Sequence, residues 1–338
     1  MAIIYKVLEV TMKKQFNAID VLKFVMAMFV VMIHVKPNAH SEGLTMVFTP
    51  FLSIAVPVFF VVSSMLIFSK LNGDRGALLK YCKRIGLLYL SWFVIDFWYI
   101  WTNKSYFSIG VANGGAELFK DMIFSTTFPG SWYLSASVMG VVIVYLLNKI
   151  MHPVIVFLMA FLVAYYIRNI ESLPDNMQGA YNWYASTFRE EVTLSFPAQM
   201  VWISIGQMLA LYLNRFDGKK KYWLSSLYAI CILAFVACMF FNSIAISIVL
   251  TVSLVLICLQ KDLPSKPIYK RLRNYSILMF FFHFCLAGKM GIFTRYVGDT
   301  LLTNWAYYLM VVAVRVVFAE VVLRLETKPF FRILKYTH

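Results

Sequence analysis

Long apolar stretches recur along the whole chain and constrain its fold more than any other feature. The first lies within residues 16–36, where only two ionisable side chains interrupt residues 21–35. A helix over residues 18–36 is about 28 Å long, close to the roughly 30 Å hydrocarbon core of a bilayer. Such stretches predict an all-α, polytopic membrane protein with about ten transmembrane helices, at 18–36, 46–69, 84–102, 132–150, 153–170, 195–214, 222–241, 243–260, 274–292 and 303–325.

The composition excludes an assembly of soluble domains. Hydrophobic residues make up 61% of the 338 residues and charged residues 14%, whereas soluble proteins carry about 25% charged residues. We find no internal repeat, no cleavable signal peptide and no appended soluble domain, so residues 1–338 are predicted to form one integral membrane domain. The five cysteines are scattered without CxxC spacing, which indicates neither a disulfide framework nor a metal site.

The basic residues predict the orientation in the membrane. With both termini in the cytoplasm, 22 of the 31 Lys and Arg residues fall in cytoplasmic segments and 7 in outer segments. This bias follows the positive-inside rule and suits the plasma (inner) membrane of a bacterium. The net charge of +15 is therefore a topology signal with some attraction to lipid, and it does not indicate a nucleic-acid partner.

The first helix carries two ionisable residues on one face. Asn17 is predicted to cap the helix and Pro37 to end it. Lys23 and His34 are 11 residues apart, within roughly 20° of the same face and about 16 Å apart along the axis. Ionisable groups inside a membrane helix cost about 2.5–3.5 kcal/mol each and are functional by default. The structural alternatives are a Lys23 that snorkels or pairs with Asp20, and a His34 that sits at the lipid headgroups.

The pattern of a basic residue, Lys23, followed by ten residues and then His34 resembles the signature of the acyltransferase-3 family of integral membrane acyltransferases. The family usually has arginine at the first position, and Lys23 keeps the charge without the bidentate guanidinium. The second span is similar to the family's F-F-x-x-S-G pattern at residues 59–64. Ser63 stands at the serine position of the pattern, and Ser64 replaces its glycine.

Four later elements resemble the family in the same order. The basic cluster Lys80, Lys83 and Arg84 opens the third span, and Trp132-Tyr133-Leu134 opens the fourth. Residues 276–283 resemble the arrangement that ends in a histidine, His283, with phenylalanine instead of the usual proline after it. The segment 326–330 resembles the family's closing element with one extra residue.

The resemblance implies an O-acyltransferase that takes an acyl group, acetyl in the first instance, from acetyl-CoA in the cytoplasm. The acceptor would be a hydroxyl of a cell-surface glycan or of a lipid-linked saccharide. His34 would act as general base or transient acyl carrier, and Lys23 would hold the donor or stabilise negative charge. Acetyl-CoA is thus expected as co-substrate, and no metal.

The remaining candidates follow from the same resemblance. The coenzyme phosphates would bind Lys80, Lys83 and Arg84, although a basic cluster at this position also suits anionic lipid. The substrates would contact Trp132, Tyr133, His283 and Ser63. The structural alternatives are an interfacial anchor for Trp132, helix packing for His283 and an intrahelical hydrogen bond for Ser63.

Two functions of other classes stay open. Buried charges such as Lys23 and Arg315 also suit a multi-pass transporter of a small solute, and a non-catalytic sensor or assembly partner is a third reading. Arg315 requires a counter-charge, for which Asp96 and Glu320 are candidates, while Glu320 and Arg324 have the spacing of a local ion pair. Oligomeric state cannot be deduced from these patterns.

The topology makes a direct prediction. On a background without native cysteines, Asn182→Cys in an outer loop should react with a membrane-impermeant maleimide in intact cells. Lys149→Cys, at the predicted cytoplasmic end of the fourth span, should react only after permeabilisation. Labelling of Lys149→Cys in intact cells would contradict the orientation.

Overall fold

The structure is a computed structural model that describes residues 16–71, 76–104, 106, 108–188, 191–212, 220–282 and 290–338, with backbone only at 212, 220–223, 290 and 291. These residues form helices and contain no β-strand, so the prediction of an all-α protein is confirmed. The α-helices in chain order are α1 (Asn17–Val35), α2 (Glu42–Leu71), α3 (Ala77–Ile95), α4 (Phe97–Asn103), α5 (Val111–Phe124), α6 (Ser131–Leu147), α7 (Pro153–Arg168), α8 (Gly179–Phe188), α9 (Phe196–Tyr212), α10 (Lys220–Phe240), α11 (Ile244–Gln260), α12 (Pro267–Phe282), α13 (Met290–Val297) and α14 (Leu301–Leu325).

Several helices are long and apolar enough to cross a bilayer. In the described ranges, four meet this description alone: Asn17–Val35, Glu42–Leu71, Val192–Leu211 and Leu301–Leu325. Four shorter apolar helices coincide with further predicted spans: Ser131–Leu147, Pro153–Arg168, Leu224–Phe240 and Ile244–Gln260. The predicted span 274–292 overlaps α12 and continues outside the described residues. Ten spans with cytoplasmic termini therefore stay a prediction.

The third predicted span differs from a straight helix. It starts earlier than expected, at Ala77, and bends by 65° between α3 and α4. The backbone N–H of Asp96 at the bend still donates to the Trp92 carbonyl at 2.8 Å. The break thus leaves this donor satisfied, as a segment at membrane depth requires. The connection predicted as an outer loop over 103–131 contains a further helix, α5.

The first helix begins differently from the prediction. Phe16 occupies the N-cap position and its side chain makes no cap hydrogen bond. The Asn17 Nδ2 donates instead to the carbonyl oxygens of Leu263 and Pro264, at 3.0 and 3.2 Å. The predicted Asn17 cap is wrong because these carbonyls, beyond the end of α11, offer a buried amide two acceptors. The helix ends as expected: Lys36 adopts φ 52° and its N–H donates to the Met32 carbonyl.

The described residues group into two compact units, and the single domain predicted over 1–338 stays a prediction. One unit holds residues 16–59 and 220–338 and is centred on α1, which packs against α11, α12 and α14. The hydroxyl of Tyr308 on α14 donates to the Met28 carbonyl of α1 at 3.2 Å. Around this contact lies an apolar cluster formed by Val31, Met32, Val35, Tyr307, Tyr308 and Val311.

The other unit holds the described residues of 60–212, and α9 packs there against α6 and α7. Gly206 of α9 lies against α2: a Cβ atom at 206 would be 2.0 Å from the Ser64 Oγ and 2.4 Å from the Val61 carbonyl oxygen. Ser64 stands where the family pattern has glycine, and the close approach of the two helices is provided by Gly206 instead.

Adding a methyl group at Gly206 should destabilise the protein. Gly206→Ala is expected to lower the free energy of unfolding by about 1–3 kcal/mol, because the added Cβ meets backbone that cannot move away cheaply. Gly115→Ala on α5 is the matched control, since its Cβ would meet nothing within 4 Å. Thermal unfolding in detergent micelles measures both, and an unchanged midpoint for Gly206→Ala would contradict the packing.

Candidate functional site

The residues predicted to act in the site lie in both units, and each group is described within its own unit. Lys23 and His34 belong to the unit centred on α1. Ser63, Trp132, Tyr133 and the basic cluster belong to the unit that contains α3, α6 and α9. His283 lies outside the described residues, so its placement stays a prediction.

Lys23 and His34 are carried by one uninterrupted helix. Because α1 is continuous from Asn17 to Val35, the two side chains lie on one face, about 16 Å apart along the axis. The residues between them on this face, Ala27 and Val30, are buried, whereas His34 is exposed. The imidazole is therefore the accessible group of this face.

Lys23 is enclosed at the other end of the face. Its side chain is 9% exposed, and its Nζ lies 5.7 Å from the centroid of the Phe59 ring. Asp20 lies one turn before it and is 3.8 Å from the Arg273 guanidinium of α12. The Lys23 ammonium thus sits within an aromatic and ionic environment that holds it in place.

Arg315 of α14 is a buried charged group that acts electrostatically on His34. Its side chain is 0% exposed, and its guanidinium is close enough for its charge to act on the His34 imidazole. The contact of Tyr308 with the Met28 carbonyl holds α14 against α1 about two turns of α14 before Arg315. The unit thus has a buried positive charge on α14 and an accessible proton acceptor on α1, and the charge acts on the acceptor.

Glu320 of α14, one of the two predicted counter-charges for Arg315, already has other hydrogen-bond partners. Glu320 Oε1 accepts a hydrogen bond from Arg324 Nε at 2.7 Å, and Glu320 also accepts one from the Tyr275 hydroxyl. The predicted local pair of Glu320 and Arg324 is therefore confirmed.

In the other unit, Ser63 and Tyr133 come together. The two hydroxyl oxygens are 3.3 Å apart, and the Tyr133 ring lies 4.6 Å from the ring of Phe60. The Trp132 ring is 6.2 Å from the same phenylalanine. The structure therefore joins two elements of the sequence resemblance, the second and the fourth spans, in one aromatic and hydroxyl cluster.

The start of α6 positions this cluster. Gly130 adopts φ +87°, which favours glycine, and precedes the helix. The Ser131 Oγ accepts hydrogen bonds from the backbone N–H groups of Thr127 and Phe128 at 3.0 and 3.3 Å. These contacts fix the direction in which α6 leaves the turn, and with it the position of Tyr133.

The three basic residues occupy the first two turns of α3. Lys80, Lys83 and Arg84 are all exposed and have the i, i+3, i+4 spacing that brings side chains to adjacent positions of a helix. Tyr81, beside Arg84, is a hydrogen-bond partner of Ser137 and lies near Tyr133. One side of the basic cluster thus borders the aromatic and hydroxyl cluster.

Two sets of interacting polar side chains were not predicted from the sequence. The His40 Nε2 is 2.7 Å from the Asp299 Oδ1, and Asp121 accepts a hydrogen bond from the Tyr106 hydroxyl with the Lys104 Nζ 3.8 Å away. The only sequence signal for these residues is a charge near a predicted span end, which does not distinguish a pair from a solvated residue.

Comparison with known proteins gives one family and two partial relatives. The sequence model of the acyltransferase-3 family, described as "Acyltransferase domain", matches residues 16–324. Two proteins of Enterococcus faecalis, each described as an amino-acid racemase, are similar over part of the chain. One is 30% identical over 173 residues, 50% of this chain and 23% of the relative. The other is 29% identical over 152 residues, 41% of this chain and 20% of the relative.

The chain therefore spans less than a quarter of the length of these two racemases. No solved structure matches the chain.

The His40–Asp299 pair predicts a pH effect. Hydrogen bonds from His40 and Asn304 hold the pKa of the Asp299 carboxyl below its usual value of 3.8. A carboxyl with a lowered pKa stabilises the fold above its unfolded pKa, and this stabilisation is lost as the pH falls through the folded pKa. Asp299→Asn should therefore unfold at a lower temperature than wild type at pH 6. The difference should begin to shrink as the pH falls towards about 3.8 and should vanish only below the lowered pKa of Asp299; equal midpoints at pH 6 would contradict the role of the pair.

Proposed function

The chain belongs to the acyltransferase-3 family of integral membrane acyltransferases, and we propose that it transfers an acetyl group from cytoplasmic acetyl-CoA to a hydroxyl of a cell-surface glycan or lipid-linked saccharide. The family match covers residues 16–324, which is nearly the whole chain. This match supports an acyltransferase activity at a membrane, and that activity, the acetyl donor and the saccharide acceptor are the proposal. Its predicted location is the plasma (inner) membrane of a bacterial cell.

The observation that carries this proposal is the His34–Arg315 arrangement. The structure has an accessible imidazole at His34 and, on the neighbouring helix α14, a fully buried guanidinium whose charge acts on that imidazole. Ester formation needs both kinds of group: a base for the acceptor hydroxyl and a positive charge for the oxyanion that forms at the thioester carbonyl.

The reaction then proceeds as follows. His34 takes the proton of the acceptor hydroxyl as its oxygen bonds to the thioester carbon, and Arg315 stabilises the resulting oxyanion. The carbon–sulfur bond breaks, and the coenzyme thiolate takes up the proton that His34 received. A variant with the same atom balance places the acetyl group on His34 first and passes it to the acceptor in a second step.

Lys23 serves a different part of the reaction. At about 16 Å from His34 along α1, its ammonium cannot reach the same reacting atom. We therefore assign the stabilisation of the oxyanion to Arg315 and keep Lys23 for holding the donor at a distance from the thioester. Its packing against Phe59 supports a fixed position for that charge.

The remaining candidates bind the substrates. Lys80, Lys83 and Arg84 are proposed to receive the coenzyme phosphates, since three exposed cations on adjacent helical positions suit a polyphosphate. Trp132, Tyr133 and Ser63 are proposed to contact the saccharide or the donor, because aromatic faces and hydroxyls suit such ligands. His283 keeps the same proposed role on the basis of the resemblance alone.

The role of His34 is tested by transfer of labelled acetyl from acetyl-CoA into the lipid and glycan fractions of membrane vesicles. His34→Ala should lower the rate by about 10²–10⁴-fold, the usual contribution of a general base. His40→Ala, which removes a nearby exposed histidine, should retain the rate. Full activity of a folded, membrane-inserted His34→Ala protein would remove His34 from the mechanism.

The role of Arg315 is tested by a charge-preserving change. Arg315→Lys keeps a cation in the buried position and should keep the protein folded, but it places the charge differently. We expect a loss of about 10²–10³-fold in kcat with little change in KM for acetyl-CoA, because the charge acts on the transition state. A change confined to KM would place Arg315 in donor binding instead.

Transport of a small solute is the second candidate function. The partial likeness to proteins described as amino-acid racemases favours it, because a membrane segment of such a protein has an amino acid as an obvious cargo. Uptake of a radiolabelled amino-acid mixture by proteoliposomes, without consumption of acetyl-CoA, would favour transport. Thiol release from acetyl-CoA that depends on His34, without uptake, would favour the acyltransferase.

A further inference from the structure

An apolar groove of about 330 Å³ lies within the unit that contains α3, α5 and α6. Its wall on α3 follows one helical face from Cys82 to Leu90, about 12 Å along the axis. Phe119 and Met122 of α5 and Leu134 of α6 complete it. The side chains are almost all apolar, so the groove suits a hydrocarbon and offers very few polar groups to a solute.

The groove is open towards the outside of the helices. Leu90 is 52% exposed and Phe119 is 67% exposed, although both belong to the lining. Gly86 lies in the middle of the α3 wall, and a Cβ atom there would meet nothing within 4 Å. The missing side chain at Gly86 therefore contributes to the open space. A chain that lies in the bilayer can enter sideways.

The volume corresponds to part of a lipid tail. An apolar cavity of about 150 Å³ holds one benzene molecule, so the groove holds roughly a dozen carbon atoms. An acetyl group needs a small fraction of this space. The groove is thus far larger than the proposed acyl group requires.

A cation lies at the edge of the groove. Lys83 precedes Gly86 by one turn and Leu90 by two turns, so it lies on the same side of α3 as the groove. Arg84, by contrast, is beside Tyr81, which faces the Tyr133 cluster. The basic cluster therefore has two sides, one at the groove and one at the hydroxyl cluster.

We propose that this groove binds a hydrocarbon tail of an anionic phospholipid, whose phosphate contacts Lys83. The apolar lining and the lateral opening select a membrane lipid, and the exposed ammonium at the groove edge selects a negatively charged headgroup. This assignment revises the proposed coenzyme site: Lys83 binds lipid, and the coenzyme phosphates are left to Lys80 and Arg84, an i, i+4 pair on the other side of the cluster. The lipid site exists independently of the acyl-transfer reaction.

The test measures how much phosphatidylglycerol stays bound to the full-length purified protein, by native mass spectrometry after exchange into lipid-free detergent. Gly86→Leu should fill the groove and abolish retention, because a Cβ atom at 86 meets nothing within 4 Å and the rest of the side chain extends into the groove. Gly115→Leu is the control, because Gly115 also lies in a helix with open space at its Cβ but outside the lining. Wild type should retain phosphatidylglycerol and lose phosphatidylcholine.

The headgroup is tested by removing the charge. Lys83→Gln should weaken phosphatidylglycerol retention about fivefold, the effect of one cation near an anionic lipid. Lys70→Gln removes another exposed lysine of the same unit and should have no effect. Equal retention of both lipids, unaffected by Gly86→Leu and Lys83→Gln, would identify ordinary annular lipid and overturn the proposal.

A further measurement leaves the groove unchanged, so its result does not depend on whether a substituted protein folds. Cys82 is a free, half-buried thiol in the lining, so a bound tail should slow its alkylation by N-ethylmaleimide. Dioleoyl-phosphatidylglycerol should protect the thiol, and dihexanoyl-phosphatidylglycerol, with tails too short to fill the groove, should not. Protection by palmitoyl-CoA but not by phosphatidylglycerol would make the groove a donor-chain site and overturn the assignment to lipid.

Discussion

The need to satisfy every backbone polar group in a bilayer governs this protein. An unpaired N–H or C=O in hydrocarbon costs several kcal/mol, so a membrane-spanning chain without a closed barrel must be helical. Where helices stop or bend, other groups take over. The Asp96 N–H keeps its partner at the 65° bend, and the Asn17 amide satisfies two carbonyls beyond α11.

The same low dielectric that penalises unpaired groups gives the few buried charges their chemical value. Arg315 is completely enclosed, and a charge held without water acts on its surroundings more strongly than one at a surface. The family signature draws attention to Lys23 and His34 because they share a helix. The tertiary structure adds Arg315 from a helix almost 300 residues away and leaves Lys23 at the far end of α1. The proposed mechanism therefore uses His34 with Arg315 and gives Lys23 a separate role.

Close packing of helices and open space between them serve opposite purposes in the unit of residues 60–212. At Gly206 the absence of a side chain lets α9 approach α2, and a methyl group has no room. At Gly86 the absence of a side chain leaves a groove that a membrane lipid can fill. Two glycines in apolar helices thus have different structural roles, close helix packing at Gly206 and open space at Gly86, which depend on the atoms that surround each position.

The sequence by itself determined the all-helical fold, the approximate positions of the apolar helices and the membership of the family, because length, hydropathy and local spacing fix these. It also determined that Lys23 and His34 share a face and that Glu320 and Arg324 pair, since both are properties of a single helix. Only the tertiary structure decided that Asn17 binds a distant loop, that the charge of Arg315 acts on His34, that Ser63 meets Tyr133 and that an apolar groove runs along α3. These contacts join residues far apart in the chain, and no local period encodes which helices become neighbours.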